Sequence, residues 1–333
     1  MNITFIREVG LLRFLRRKAV RQFYKRILRR DHSMRLPTGE RMNLPISDLF
    51  ASEAYITNAN VDWGSERLLF SLLTNRGAFL DIGAHIGYYR LYMLPRVTDA
   101  YAFEPDPRVR QLLEANVSHN PKIKVIPWAV GATQGRAQFT LEGDSAVSHI
   151  AEETDDPNKL IVIDVVTIDS FVQARGVAVE AIKIDVEGHD TEVIQGALQV
   201  LKVQQPLVLT EAKPDPTLFA LTNQVAYRVF AYIANTRTPK KSFAELHPHH
   251  PIQPATKMLF LVPPHLAQTF ESLTTHPYPT PHTPSPKPPA FQPLFPVPYS
   301  LFPVSPSTQS PPESSPPHPP VFLPASPPPP EMK

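Results

Sequence analysis

Asp81-Ile82-Gly83-Ala84-His85-Ile86-Gly87-Tyr88-Tyr89 is the stretch on which the reading of this chain turns. It follows the apolar run Ala78-Phe79-Leu80, which has the marks of a short buried strand, and it leads into a helical pattern. A glycine at that junction lets the backbone turn sharply and approach a ligand. The helix start beyond it offers free N–H groups and a positive dipole end. A pyrophosphate-binding turn needs the close glycine pair of G-x-G-x-x-G. Here Gly83 and Gly87 are separated by three residues and the acid Asp81 precedes them. That arrangement suits S-adenosylmethionine (SAM), which has no pyrophosphate but carries an amino group and a sulfonium.

Working outward, Ala100-Tyr101-Ala102-Phe103-Glu104-Pro105 reads as the next strand, with Glu104 at its end. A carboxylate there can accept hydrogen bonds from both ribose hydroxyls, a role common to NAD and SAM sites. Paired with Asp81, it favours SAM. The plainer reading is that both acids cap strand ends or pair with nearby arginines. The predicted cofactor contacts are Asp81, Gly83, Ala84, His85, Gly87 and Glu104.

A third block, Lys183-Ile184-Asp185-Val186-Glu187-Gly188-His189-Asp190, closes a fourth strand over 181–186. That strand is expected beside the first, which turns Asp185 toward the same crevice as Gly83. Acids packed this closely repel one another, so one of them has a raised pKa or is held by a cation. The predicted catalytic residues are Asp185, with His189 or Glu187 taking a proton from a substrate hydroxyl. The alternative is that Asp185 only orients the cofactor or the loop, and that His189 begins a helix. Glu211, after the strand 206–210, is a further candidate for the wall. These acids permit a divalent ion without demanding one, and no metal ligands are predicted.

The same alternation extends across the middle of the chain. A third strand is predicted at Ile123–Ile126, and helices over Ser65–Asn75, Asp106–Val117 and Thr191–Leu201, with Ser65 and Asp106 as N-caps. Such a pattern implies an α/β fold with a mostly parallel sheet and helices on both faces. Residues 135–170 break the rhythm and read as an inserted, hairpin-like excursion.

The ends differ in composition from the middle. Residues 1–35 hold eleven Lys/Arg against Glu8 and Asp31, although the net charge of the chain is only +2. Leu12, Leu15, Ala19, Phe23 and Ile27 fall on one side of a helix there, with Arg13, Arg16, Arg17, Arg21, Lys25 and Arg29 over much of the remainder. Two readings are open: contact with a membrane surface or anionic partner through residues 1–30, or a helix packed on the domain with a solvated basic face. Many of the 40 prolines lie beyond residue 275, where little apolar surface is available to offset ordering entropy. The organisation expected is a basic helical segment over 1–35, a catalytic domain over 40–270, and a proline-rich disordered tail over 275–333. The absence of cysteine removes disulfides, thiolate metal sites and a cysteine nucleophile. No apolar run approaches the ~20 residues that span a bilayer. The expected location is cytoplasmic, with the peripheral membrane contact left open.

Taken in order, four blocks resemble the FkbM family of SAM-dependent methyltransferases: Phe79–Tyr89, Ala102-Phe103-Glu104-Pro105, Thr167-Ile168-Asp169-Ser170 and Ile182–His189. The resemblance covers about residues 60–262. It implies a class I methyltransferase (Rossmann-like) fold with a seven-stranded sheet, closed by an antiparallel pair from Tyr227–Ile233 and Met258–Val262. It also implies O-methylation of a hydroxyl on a sugar, glycolipid or secondary metabolite, so the expected partner is a small-molecule or glycan acceptor. The sequence departs from the family at His85, where asparagine is usual, and an altered affinity or pH dependence is expected there. Two rivals stand beside this reading. One is a catalytically impaired scaffold that works through its basic helix and proline tail; the other is an NAD-dependent oxidoreductase, disfavoured by the missing G-x-G-x-x-G. Nucleic acid is not expected as substrate, because the basic residues cluster outside the catalytic domain and no N/D-P-P-[YF] run occurs.

Overall fold

The apolar run before the glycine turn becomes the middle of an open sheet in the computed structural model. Residues 6, 9–141, 149–150, 157–234, 241–248 and 255–274 are described, so the expected proline-rich tail lies outside the described residues. The first of the described elements are helix α1 (Leu11–Gln22), a π-helical continuation Phe23–Leu28, and a hairpin of β1 (His32–Arg35) and β2 (Arg41–Leu44). Helices α2 (Leu49–Thr57) and α3 (Ser65–Leu72) lead to β3 (Ala78–Ile82), α4 (Tyr88–Met93), β4 (Ala100–Phe103), α5 (Pro107–Val117) and β5 (Ile123–Ile126). Next come β6 (Ala129–Val130), β7 (Gly135–Thr140), β8 (Leu160–Val166), α6 (Ile168–Arg175) and β9 (Val179–Ile184). The last described elements are α7 (Asp190–Gln195), α8 (Leu198–Gln204), β10 (Leu207–Thr210), α9 (Pro216–Gln224), β11 (Arg228–Ala234), β12 (Lys241–Leu246), β13 (Thr256–Val262) and α10 (Ala267–Leu273).

The main sheet runs β12-β11-β13-β10-β9-β3-β4-β5. The five strands from β10 to β5 are parallel, and β13, β11 and β12 add antiparallel pairings. This is the class I methyltransferase fold, with one strand more than the seven expected. The extra strand, β12, comes from the connection between the last two predicted strands. Its sequence, Lys241-Ser242-Phe243-Ala244-Glu245-Leu246, is short and includes two charged residues, as an edge strand often does, and so carries little signal. Both faces of the sheet are covered: Leu80, Ile82, Ile182 and Val208 pack into one apolar core, Phe79, Ala181, Leu209 and Phe260 into the other. Burial on two faces is why these strands read as continuous apolar runs.

Local chemistry explains most of the boundaries. Asp106 caps α5, its carboxylate accepting from the Arg108 N–H at 2.9 Å. Ser65 is not the cap of α3; Gly64 holds that position at φ 95°, and Ser65 is buried inside the first turn. The helix expected over 191–201 divides into α7 and α8 around Gly196. A Cβ at that position would lie 2.1 Å from the Gly131 carbonyl oxygen, so the two segments are pressed against the loop after β6. The Thr167–Ser170 block proves to be structural. Thr167 caps α6, and Asp169 accepts from the Gln199 and Val200 N–H groups at 3.0 and 2.8 Å, capping α8 from a neighbouring helix. Asp169→Ala is therefore expected to cost about 1 kcal/mol. Urea unfolding should show the lower midpoint, with ligand affinity unchanged.

The excursion forms a separate three-stranded sheet in which β7 and β8 are antiparallel and β6 lies parallel to β8. The N-terminal helix packs on the domain, but with the opposite face from the one the second reading required. Phe14 and Arg21 are buried. Arg21 donates to the Leu44 carbonyl at 3.0 Å, to Ser52 at 3.1 Å and to the Pro45 carbonyl. Arg17 donates to the Tyr55 carbonyl and Asn58, at the C-terminal end of α2. Guanidinium groups donate to these backbone carbonyls, a task no aliphatic side chain performs. The apolar stripe is consequently left on the outside.

Candidate functional site

A cleft opens at the carboxyl ends of β3, β4, β9 and β10, where open α/β sheets bind ligands. Asp81, Gly83, Ala84, His85, Glu104, Asp185, Glu187, His189 and Glu211 all line it. Gly87 does not. It starts α4 at φ 93°, against Arg90 and Leu113, and so shapes the turn from behind.

Strand register brings the first residues together. Asp81 pairs with Lys183 across β3 and β9, and with Ala102 across β4. Alternation then puts Asp81 and Gly83 on the same side of the sheet as Lys183 and Asp185. Gly83 has φ 72°, and a Cβ there would stand 1.9 Å from the Asp185 carbonyl oxygen, so the two loops touch with no room for a side chain. Gly83 and Ala84 both donate backbone N–H groups to the Phe103 carbonyl, at 3.1 and 3.0 Å. This draws the loop toward β4.

The Glu104 carboxylate divides its oxygens between two backbone donors, His85 N–H at 2.9 Å and Asp106 N–H at 3.0 Å. Burial pushes its pKa up to about 7, against the lowering effect of His85 and these hydrogen bonds. His85 has φ 48°, a left-handed conformation that asparagine and histidine both adopt more readily than most residues. The departure from asparagine is thus absorbed by the backbone. Its Nε2 lies 3.1 Å from Asp48, the N-cap of α2. Burial opposes protonation of His85, but the Asp48 hydrogen bond and the charges of Asp48 and Glu104 outweigh it and hold its pKa above the usual imidazole value.

Lys183 is the central cation. Its Nζ donates to the Gly83 carbonyl at 2.9 Å, and lies 3.1 Å from Asp185 and 3.8 Å from Asp81. Burial disfavours its charge, yet Asp185 and Asp81 together raise its pKa. In return, and against burial, Lys183 and a hydrogen bond from Glu211 hold Asp185 below the usual carboxylate range. Burial and the Asp185 charge push Glu211 up to about 9. Near neutral pH one carboxylate of this pair is ionised and the other carries the proton. Asp81 is sealed from solvent, with both oxygens lacking a hydrogen-bond partner among the described residues. Burial raises its pKa against the pull of Lys183 and Arg90. His189 precedes α7, and its Nδ1 lies 3.3 Å from the Glu187 carbonyl. Asp190 does not enter the cleft lining. Its Oδ1 accepts from the Thr210 hydroxyl at 2.8 Å and from the Glu211 N–H at 3.1 Å, tying the ends of β9 and β10 together.

Sequence reasoning missed the opposite wall. Phe50, Glu53 and Asp62 come from the segment before β3, and Lys257 from β13. Lys257 Nζ donates to the Val61 carbonyl at 2.8 Å and lies 3.1 Å from Glu53 and 3.6 Å from Asp62. Tyr89 donates to Asp62 at 2.6 Å and Tyr88 to Glu66 at 2.9 Å, which latches this wall onto the helix after the glycine turn. No local pattern marks Asp62 or Lys257, because nearly two hundred residues separate them. Lys183 was within reach, since it alternates with Asp185 on a buried strand where an unpaired lysine would be costly. Phe139, His149 and Ile150 from the excursion complete the lining.

An open sheet of this topology, with acids at the ends of adjacent parallel strands and no pyrophosphate turn, defines the SAM-dependent methyltransferase class. Residues 81–245 match the model of the methyltransferase FkbM domain. Through that region the chain belongs to the FkbM methyltransferase family. Hexuronic acid methyltransferase AglP of Haloferax volcanii is 26% identical over 152 residues, covering 45% of this chain and 62% of that protein. Among solved structures, methyltransferase FkbM from Methylobacillus flagellatus matches at 18% identity and a TM-score of 0.36, over 63% of this chain and 52% of that one. Trm5b from Pyrococcus abyssi matches at 14% identity and 0.38, over 70% and 56%. The chain thus spans less than two thirds of the length of each of these relatives.

The residues present fit SAM. The fully buried, hydrogen-bond-deficient Asp81 suits a cationic group, Gly83 lets the turn beside it lie flush against the Asp185 loop, and Glu104 offers acceptor oxygens at the next strand end.

Proposed function

We propose that this chain transfers the methyl group of SAM to a hydroxyl of a sugar-type acceptor. The observation that carries the reading is the grouping of Asp81, Glu104 and Asp185 around one cleft at the carboxyl edge of the sheet. The hexuronic acid acceptor named for the archaeal relative supports the sugar class.

SAM, when bound, supplies a methyl group already activated on a sulfonium. What remains for the protein is alignment of the reactants and removal of one proton. Glu104 accepts from the ribose hydroxyls, and Asp81 with the Gly83 turn receives the amino-acid end. Asp185 stays ionised beside Lys183 and orients the acceptor hydroxyl. With Nδ1–H donating to the Glu187 carbonyl, His189 keeps Nε2 as its basic nitrogen and takes the proton. Acceptor selectivity belongs to the wall of Glu53, Asp62 and Lys257, all outside the 81–245 region that the family shares.

The test is incubation of the full chain with labelled SAM and a panel of sugar glycosides and uronic acids, read by mass spectrometry for a gain of one CH2 unit. Transfer to a uronic acid or other sugar supports the proposal, and transfer to none of them sinks the acceptor class. With the acceptor so found, His189→Ala is expected to lower kcat about 100-fold while leaving SAM affinity unchanged. Full turnover in that variant would move the base to Asp185 or Glu187.

A further inference from the structure

The outer face of the N-terminal helix is unlike the rest of the surface. Leu12 is 84% exposed and Ile27 68%, with Leu15 and Phe23 each about half exposed. At helical spacing these residues and Ala19 form one stripe directly opposite Phe14 and Arg21, the side chains that dock the helix on the domain. Around the stripe Arg13, Arg16, Arg26, Arg29 and Arg30 are exposed. No acidic residue occurs between residues 9 and 30.

The inward face is held by specific bonds, from Arg17 and Arg21 to backbone carbonyls of α2 and β2, so the stripe cannot be buried by turning the helix over without losing them. Something outside the described fold must cover it, or about four large apolar side chains stay in water at a cost. A second copy of the same face would bring arginines against arginines with no acid to pair them, which is repulsive. A surface that is apolar below and anionic above fits both features: the aliphatic and aromatic side chains enter the acyl boundary while the guanidinium groups meet phosphate headgroups. No helix among the described residues is long and apolar enough to cross a membrane, so the contact lies in the plane of the surface.

We propose that residues 11–30 dock this protein onto an anionic lipid bilayer through the stripe Leu12, Leu15, Phe23 and Ile27. The proposal is independent of the methyl-transfer reading, but the two converge. The helix packs along α2, whose Phe50 and Glu53 line the cleft, so docking brings the acceptor wall within one helix of the lipid surface.

The experiment is co-sedimentation of the full chain with vesicles of phosphatidylcholine alone and of phosphatidylcholine containing phosphatidylglycerol. Binding is expected to the anionic vesicles, and to weaken as salt rises. The double variant Leu12→Glu/Ile27→Glu should lower it by roughly tenfold or more. Arg13→Gln/Arg16→Gln/Arg26→Gln should remove the preference for phosphatidylglycerol. Because all five positions are exposed, thermal midpoint and SAM affinity should be unchanged in both variants, which separates loss of docking from loss of fold. Failure to sediment with either vesicle, or equal sedimentation of the Leu12→Glu/Ile27→Glu variant, overturns the proposal. So does light scattering that shows a dimer dispersed by that variant without any vesicle binding, which would assign the stripe to a second copy.

Discussion

Glu104→Ala is expected to weaken SAM binding on the order of a thousandfold, from two lost hydrogen bonds to a charged acceptor at roughly 1.5–3 kcal/mol each. Isothermal calorimetry is the direct measurement. Glu104→Gln separates ligand contact from loop support, since an amide keeps one acceptor for the His85 or Asp106 N–H but loses the charge. The pH dependence follows from the same carboxylate. In the free protein its pKa is about 7, raised by burial. Ligand hydroxyls donate to the ionised form, so binding lowers that pKa and releases protons near neutrality. Affinity should rise with pH through about 7 and then level, and titrations in buffers of different ionisation enthalpy should report the released proton. Wild-type affinity in Glu104→Ala would remove the residue from the site.

Gly83→Ala should have the other large effect. The new Cβ would meet the Asp185 carbonyl at 1.9 Å, and φ 72° is unfavourable for alanine in any case. Strain and overpacking of this kind cost roughly 3–5 kcal/mol together. In a domain of this size that lowers Tm by about 10 °C. SAM binding should fall with it, because the atom that must shift carries the backbone of Asp185. Gly135→Ala is the control: nothing lies within 4 Å of its Cβ position, and stability should hardly change. Equal Tm values for the two variants would mean that the loops do not touch as described.

Much of this site was legible because it is built from strand ends. A short apolar run followed by an acid or glycine is a local pattern, and parallel strands of an α/β sheet place successive carboxyl ends along one edge. Asp81, Glu104 and Asp185 could be assigned to one crevice from that alone. The roles inside Lys183–Asp190 were less legible. Asp190 is an aspartate of the same block as Asp185, yet it points into the protein and binds Thr210, and only the turn at Val186–His189 decides which acid reaches the cleft. Gly87 carried the same weight as Gly83 in the sequence, but it proved to shape the helix start.

The sequence by itself therefore determined the parallel sheet, the glycine turn and the acids that follow β3, β4 and β9, because periodicity and strand-end chemistry act within a few residues. Tertiary structure alone decided three things. It added β12 at the sheet edge, joined Asp62 to Lys257 in one wall of the cleft, and turned the N-terminal helix so that Arg17 and Arg21 face inward and its apolar stripe outward. The last two depend on partners apart in the chain: backbone carbonyls at the ends of β2 and α2 that accept from Arg21 and Arg17, and a carboxylate and an ammonium brought together only when the sheet forms. The glycine turn marks where the cofactor edge begins, and long-range packing determines what stands opposite it.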